Sequence, residues 1–276
     1  MLFDAFIYTV DPSFLGSDSE FGKWDPIHII EVDRSLLPNL KTHLNRYKLR
    51  SRFHIHDIPE RRLQLYSVWP DLEWHQEVFS QAVTITDPRS VNLGTRVLTS
   101  QSPPIDTSKL QQLEVYHIRR TLHGVPEGPE EILEGQALPA ESNLDVLSGI
   151  DYTKGCYVGQ ELTSRTYHTG VIRKRLLPMS LYPSNGEASE PQTLEWNPSV
   201  KVELPPSGTP LGVQGEKRSP GKFLRGWGNL GWGLCRLDYV GRVLQCQGEG
   251  GVVNVKPFLP EWGPLEKEVE GEQGVA

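Results

Sequence analysis

The chain has 276 residues, which is long enough for two compact domains. Its formal charge of −7 argues against broad nucleic-acid binding, which normally needs a basic surface. No stretch approaches the roughly 20 consecutive apolar residues that cross a bilayer. We therefore predict no nucleic-acid partner and no membrane partner.

The N-terminal part mixes strands with helices. Residues 3–10 and 26–33 read as strands, and the first lacks the Arg/Ser-rich character of a targeting peptide, so we expect any import signal to lie outside this chain. Apolar residues at helical spacing predict a helix over 36–47 and another over 110–123, ended by Gly124. Further strands are predicted at 53–58, 63–69, 83–86 and 93–98. This mixture, without strict βαβ alternation, is typical of an α+β domain.

The chain changes character after residue 172. A strand is predicted over 173–182, and residues 183–223 are rich in Pro, Ser, Gly and Glu, which predicts mainly loops or an insertion. Residues 226–258 carry short apolar runs punctuated by glycine, a pattern typical of a small β-barrel. The acidic, Gly-rich residues 263–276 read as a frayed tail.

Cys156, Cys235 and Cys246 are the three cysteines of the chain. An odd, sparse set without CxxC spacing is not a disulfide framework, and it fits a reducing compartment. Three thiols cannot by themselves ligate an ordinary four-cysteine cluster or zinc site, so any metal chemistry must be shared with another molecule. Cys235 and Cys246 lie in the β-patterned region, and we predict that they are packing residues.

Cys156 lies in the segment KGCYVGQE, residues 154–161. Its neighbours Gly155 and Gly159 give little cover and permit a sharply turned backbone. If the ammonium of Lys154, two residues away, lies near the thiol, it favours the thiolate, which is the form that binds metals and acts as a nucleophile. From these residues alone two interpretations stay open, a functional thiol and a small buried hydrophobe.

Charge is unevenly distributed around this segment. Between Ile150 and Pro178 five basic residues accompany two acidic ones, a local balance of +3 in an acidic protein. They are Lys154, Arg165, Arg173, Lys174 and Arg175, against Asp151 and Glu161. Such a surplus attracts an anionic ligand or an acidic partner surface; the alternative is a solvated face.

The motif over 154–161 matches the KGC[FY]xGQE signature of the YgfZ / glycine-cleavage T-protein-like family, which this chain resembles. The continuation over 162–176, the upstream stretch 137–145, and Arg119 followed by 124–127 resemble the mitochondrial branch of that family, which serves iron–sulfur cluster assembly. The resemblance extends more weakly through residue 258. The family normally has a substantial N-terminal segment before the strand that begins here, so we expect the first module to lack that part.

This resemblance implies a fold and a domain division. The fold is α+β, with glycine-cleavage T-protein-like modules of mixed and antiparallel sheets around a folate-type pocket, followed by a small C-terminal β-barrel. The T-protein-like region covers 1–172. The barrel covers 173–262 and contains the Pro/Gly/Ser-rich insertion at about 183–223, and residues 263–276 form a flexible tail.

The resemblance also implies a function. It indicates a non-enzymatic factor in [4Fe–4S] assembly in the mitochondrial matrix, working with A-type carrier proteins. Cys156 becomes the candidate ligand of an iron–sulfur cluster shared transiently with that partner. The surrounding loop is then an anion- or folate-type site, with tetrahydrofolate as the second candidate cofactor. Its residues are Lys154, Gly155, Tyr157, Gly159, Gln160, Glu161 and Arg165.

Two enzymatic alternatives stay open. A tetrahydrofolate-dependent aminomethyl transferase needs an acidic residue at the reacting nitrogen of folate, for which Asp4 is the candidate. A redox enzyme would use a resolving cysteine that folding brings to Cys156. Arg119 is a candidate for binding either the anionic tail of a ligand or a local carboxylate. His168 is either a second metal ligand or a surface histidine. Glu161 either orients a ligand or stabilises the start of a helix.

Overall fold

A computed structural model of the protein describes residues 1, 3–15, 27–59, 62–69, 82–100, 111–157, 159–186 and 189–262. Among these residues, no helix has the length and apolar character needed to cross a bilayer. The chain divides into two compact units, one formed by Leu2–Gln111 and the other by Met1 with Gln112–Ala276. The tail predicted over 263–276 lies outside the described residues.

The unit Leu2–Gln111 opens with an antiparallel pair of strands, β1 (Ala5–Val10) and β2 (Ile27–Val32). Helix α1 (Leu37–Lys48) follows, with a proline in its first turn, where the missing N–H has no helical partner to lose. The predicted strands and helix are confirmed here to within two residues at either end. The buried hydrophobic side chains of the main core of this unit are Tyr8, Val10, Leu15, Ile29 and Leu98.

A three-stranded antiparallel sheet completes this unit, with strand order β3-β5-β4. Its members are β3 (Gln64–Val68), β4 (Ala82–Thr86) and β5 (Thr95–Thr99). The strand predicted over 53–58 is wrong, because residues 51–59 have no regular secondary structure. Their alternating apolar residues lack a partner strand among the described residues, and a strand needs one to satisfy its backbone hydrogen bonds.

The second unit begins with helix α2 (Leu113–Leu122), which ends before Gly124 as predicted. Gly124 has φ +68°, and a Cβ there would lie 2.2 Å from the Pro260 side chain, so the position requires glycine. The chain then runs through successive turns to helix α3 (Gln160–Thr169).

A closed barrel of six strands forms the C-terminal part of this unit, with every neighbouring pair antiparallel and the order β10-β11-β6-β9-β8-β7. The strands are β6 (Lys174–Pro183), β7 (Pro210–Gly212), β8 (Gly221–Trp227), β9 (Leu230–Arg236), β10 (Leu244–Gly248) and β11 (Gly251–Pro257). The prediction of a mixed α/β protein ending in a small β-barrel is confirmed at this level. The stretch 183–223, predicted to be mainly loops, supplies β7, which pairs with β10 and β8 and so closes the barrel.

The barrel encloses an apolar core. Its fully buried members are Leu177, Met179, Leu181, Leu211, Phe223, Cys235, Leu244, Cys246, Val253 and Val255. Trp232 belongs to a neighbouring core cluster and is completely buried. Its indole N–H donates to Thr121 Oγ1 at 3.0 Å, which attaches α2 to the barrel and satisfies a polar atom that burial would otherwise leave unpaired.

Candidate functional site

The chain before Cys156 is anchored to the first barrel strand by an ion pair whose arginine is buried. Arg175, fully buried at the second position of β6, donates from Nη1 and Nη2 to the two carboxylate oxygens of Asp145, each at 2.8 Å. Nη1 also donates to the carbonyl oxygen of Ala140 at 2.8 Å. This bidentate geometry is the strongest common form of ion pair. It joins the turn before the motif to the barrel.

Asn143 and Glu141 organise the same turn. Asn143 Nδ2 donates to the carbonyl oxygen of Leu176 at 2.7 Å, and the Leu176 N–H donates to the carbonyl oxygen of Glu141 at 2.7 Å. Asn143 adopts φ +66°, a left-handed conformation that asparagine tolerates better than most residues. These two residues therefore hold the backbone that leads into the motif loop.

The motif loop is held by short-range contacts. Asp151 Oδ1 accepts from the N–H of Thr153 at 2.8 Å and from its hydroxyl at 2.7 Å, and these hydrogen bonds lower the pKa of Asp151. Lys154 Nζ lies 4.0 Å from the centroid of the Tyr157 ring, a cation–π contact. The lysine ammonium is thus placed over an aromatic face within the motif.

A backbone reversal connects the loop to α3. Gly159, the residue before α3, has φ +88° and ψ 6°, in the left-handed region that favours glycine. Gln160 Oε1 accepts from the N–H of Tyr157 at 3.0 Å. The glycine and the glutamine of the motif are therefore explained by loop geometry, since one permits the reversal and the other satisfies a loop N–H.

Two tyrosine rings join the loop to the helix. The rings of Tyr152 and Tyr167 stack with centroids 4.0 Å apart and an interplanar angle of 24°. The pKa of Tyr152 is raised, first by burial and then by the negative charge of Asp145. Sequence analysis did not single out Tyr152, because no spacing rule connects residues fifteen apart across a loop.

Cys156 is exposed, whereas Cys235 and Cys246 are buried in the barrel core. Burial raises the pKa of Cys235 to about 12 and that of Cys246 to about 11, so both thiols stay protonated and unreactive at neutral pH. The prediction that they are packing residues is confirmed. Cys156 is the thiol that an external group can reach.

The other predicted motif residues lie beside Cys156 along the loop and α3. Gly155, Tyr157 and Gly159 are exposed in the loop. Glu161 and Arg165 are exposed on α3. Glu161 lies in the first turn, where a carboxylate stabilises the helix, as one of its two interpretations predicted.

The three secondary candidates lie in different places. Asp4 belongs to the unit Leu2–Gln111. Arg119 is half-buried on α2. His168 is exposed on α3, and its ring meets that of Tyr167 edge-on at 5.3 Å. Within the described ranges, no group of three or more His, Cys, Asp or Glu side chains is arranged to hold a metal ion.

Ion pairs in the structure offset part of the positive charge that the sequence places near the motif. Arg175 is neutralised by Asp145 inside the protein, and Lys174 Nζ lies 3.5 Å from a carboxylate oxygen of Glu141. The expectation that all five basic residues attract an anionic ligand is therefore wrong for Arg175, because it is buried.

A polar cluster around His117 and Arg120 of α2 was not predicted from the sequence. Arg120 and Glu131 form a fully buried ion pair, with Arg120 Nη1 2.6 Å from Glu131 Oε2. Arg120 Nε donates to His117 Nδ1 at 3.1 Å, and the His117 ring stacks on Trp227 with centroids 5.0 Å apart. Burial, followed by the charges of Arg120 and Arg225, lowers the pKa of His117 to about 4. This histidine is therefore neutral at physiological pH.

A surface cavity of about 550 Å³ lies elsewhere in the second unit. Its lining includes Trp196, Lys201 and Glu203, and none of the predicted site residues belongs to it. The candidate site around Cys156 is thus an exposed loop and helix. Such a surface suits contact with another macromolecule better than enclosure of a small ligand.

Comparison with known proteins adds a domain match and several relatives. The family described as CAF17, C-terminal beta-barrel domain, matches residues 173–265, the part of the chain that forms the closed barrel. A protein from Neurospora crassa is 43% identical over 237 aligned positions, covering 76% of this chain and 54% of its own length. It is named iron–sulfur cluster assembly factor IBA57 homolog, mitochondrial.

Two Aspergillus proteins with the same name extend this similarity. The Aspergillus fumigatus protein is 37% identical over 275 positions, covering 91% of this chain and 60% of that protein. The Aspergillus oryzae protein is 34% identical over 313 positions, covering 95% of this chain and 69% of that protein. This chain therefore spans between about half and two thirds of the length of these relatives.

Proposed function

Because this chain belongs to the family of mitochondrial iron–sulfur cluster assembly factors named IBA57, we propose that it serves iron–sulfur cluster assembly in the mitochondrial matrix. In this proposal it acts with an A-type carrier protein in [4Fe–4S] maturation. Cys156 supplies one thiolate ligand of a cluster shared between the two proteins. The observation that carries the assignment is the exposed thiol of Cys156, in contrast to the two buried cysteines.

The cluster is the cargo of this reaction, and its ligands are thiolates. Cys235 and Cys246 have raised pKa values and lie in the barrel core, so the remaining ligands come from the partner. Gly155 has open space where a Cβ would stand, which lets a cluster or a partner backbone approach the thiol closely. Lys154 and the helix start at Gln160 favour negative charge nearby.

The wider affiliation with the YgfZ / glycine-cleavage T-protein-like family is part of the proposal. The KGCYVGQE motif over 154–161 supports it. The division into a T-protein-like region over 1–172, a barrel over 173–262 and a tail over 263–276 is proposed with it. The match of residues 173–265 to a C-terminal barrel family supports a barrel that begins at residue 173.

Folate binding and the aminomethyl transferase alternative stay predictions. They concern Asp4, in the unit Leu2–Gln111, and Arg119, in the other. Calorimetric titration with tetrahydrofolate tests them. Saturable binding that Asp4→Ala removes would support the transferase alternative, and the absence of binding heat at two well-separated temperatures would exclude it.

Anaerobic absorption and circular dichroism spectroscopy test the proposed function. The protein is mixed with an apo A-type carrier, iron and sulfide, and wild type is compared with Cys156→Ala and Cys246→Ala. We expect a cluster spectrum distinct from that of the carrier alone, present with wild type and Cys246→Ala but lost with Cys156→Ala. The Cys246 variant removes one thiol as well, so it controls for cysteine number. Identical spectra for all three proteins would exclude Cys156 as a ligand.

A further inference from the structure

We propose that α3 and the loop before it form the surface on which a cluster-carrying protein docks, and that apolar contacts supply most of the affinity. This inference rests on the proposed function, because Cys156 lies within the surface. The α3 surface is defined by five exposed apolar or aromatic side chains: Tyr152, Tyr157, Leu162, Tyr167 and Val171.

Helix α3 exposes the side chains that a helix of this kind normally buries. Leu162 is 47% exposed and Tyr167 57% exposed, whereas the buried side chain among those described is the small polar Thr163. A ten-residue helix is only marginally stable alone in water, and a surface helix usually turns its apolar stripe toward the core. The apolar side chains of α3 are therefore available to a second protein.

The exposed apolar surface continues on both sides of the helix. Tyr152 and Tyr157 lie before it, and Val171, 65% exposed, lies just after it. Tyr152 and Tyr167 are in contact with each other, exposed apolar groups can mark interaction sites, and tyrosine is enriched at interfaces. Cys156 lies in the middle of this sequence segment, so a partner that shares a cluster with its thiol must contact the same residues.

Side-chain contacts link the parts of this surface to one another. The Tyr152–Tyr167 stack joins the loop to the helix, and Lys154 lies over the Tyr157 ring. Gln160 Oε1 accepts from the Tyr157 N–H. Side chains that already contact one another have less conformational entropy to lose on association, which favours affinity.

Charge indicates what kind of partner fits. Of the basic residues between 150 and 178, Arg175 is neutralised internally and Lys174 lies beside Glu141. A small positive surplus is left at the surface, which steers a mildly acidic partner but contributes little affinity. We therefore infer that the protein that docks on the α3 surface is a cluster carrier with thiolate ligands of its own. The face that it presents has apolar side chains beside those thiolates and is neutral to mildly acidic.

Binding of an apo A-type carrier, measured by calorimetry, tests this surface independently of cluster chemistry. We expect Leu162→Glu to weaken binding by about tenfold or more, because it places a charge in an apolar contact. Val171→Glu, which lies outside the helix, should weaken binding in the same direction. Leu113→Glu is the matched control: Leu113 is 69% exposed at the start of α2, and we expect its affinity to stay within about twofold of wild type. Circular dichroism checks that each variant is folded.

The outcomes separate this inference from the proposed function. If wild type forms the Cys156-dependent cluster but Leu162→Glu and Val171→Glu bind the carrier as wild type does, the docking surface is wrong and the function stands. If wild type binds no apo carrier but still forms the Cys156-dependent cluster, the docking surface alone fails; if it does neither, both fail. If light scattering finds that wild type self-associates and Leu162→Glu does not, the occupant is a second copy of this chain, and the inference is overturned.

Discussion

The rings of Tyr152 and Tyr167 stack 4.0 Å apart, across the loop that carries Cys156. One ring precedes the thiol by four residues and the other follows it on α3. The stack joins the two sides of the loop, and the thiol of Cys156 is exposed. This arrangement leaves the thiol accessible to a large group.

We predict that the cysteines differ sharply in their contribution to stability. Cys156→Ala should change the free energy of unfolding by less than about 0.5 kcal/mol, because the side chain is exposed. Cys235→Ala should cost about 1–2 kcal/mol, because it leaves a cavity in the barrel core. Urea unfolding of both variants measures the difference. A large loss for Cys156→Ala would indicate that its thiol packs in the native protein.

We predict that His117 makes the protein sensitive to acid. Its pKa is lowered to about 4 by burial and by neighbouring arginines, whereas an unfolded histidine has a pKa near ~6.5. As pH falls from about 6.5 toward 4, the unfolded state binds the proton first, so stability is lost over that window. Because the ring is partly exposed, we expect a loss of about 1–2 kcal/mol rather than the full value.

His117→Gln tests the acid prediction. Glutamine keeps an acceptor for Arg120 Nε, which donates to His117 Nδ1 at 3.1 Å, but it does not titrate. Thermal melts of both proteins between pH 7 and 4.5 measure the effect. We expect a shallower decline in the variant, and parallel curves would contradict the assignment to His117.

We predict that Gly159→Ala strains the loop that leads into α3. Its φ of +88° costs an L-residue about 1–2 kcal/mol, although a Cβ there would meet no neighbour within 4 Å. Gly208→Ala is the control, since Gly208 has φ +86° and equally open space but lies outside the site. Both variants should lose similar stability in thermal melts. The intensity of the Cys156-dependent cluster spectrum should decrease in Gly159→Ala but not in Gly208→Ala. Equal intensities in the two variants would show that the loop conformation at Gly159 does not matter for cluster formation.

We predict that Asp145→Asn destabilises the protein by about 3 kcal/mol, because it leaves the buried Arg175 guanidinium without its charged partner. Asp238→Asn is the matched control. Asp238 is 61% exposed and pairs with Arg236 at 2.6 Å, so we expect a change below about 1 kcal/mol. Chemical denaturation of both variants measures the contrast. Equal losses of unfolding free energy in the two variants would show that the burial of Arg175 does not increase the contribution of its ion pair to stability.

The sequence by itself determined the elements with strong local signals. Apolar spacing located α1 and α2, and Gly124 marked the end of α2 because glycine commonly ends a helix. Glycine-punctuated apolar runs indicated the barrel. The KGCYVGQE motif selected Cys156, and β-patterning separated it from Cys235 and Cys246.

Tertiary structure decided what depends on residues far apart in the chain. The strand predicted over 53–58 failed because a strand exists only when another strand pairs with it. β7 was missed because three residues acquire strand character only by closing the barrel between β10 and β8. Arg175 counted as surface charge in the sequence, yet folding buries its guanidinium and brings the carboxylate of Asp145 to it. Only the fold could therefore decide which charges near Cys156 face a partner.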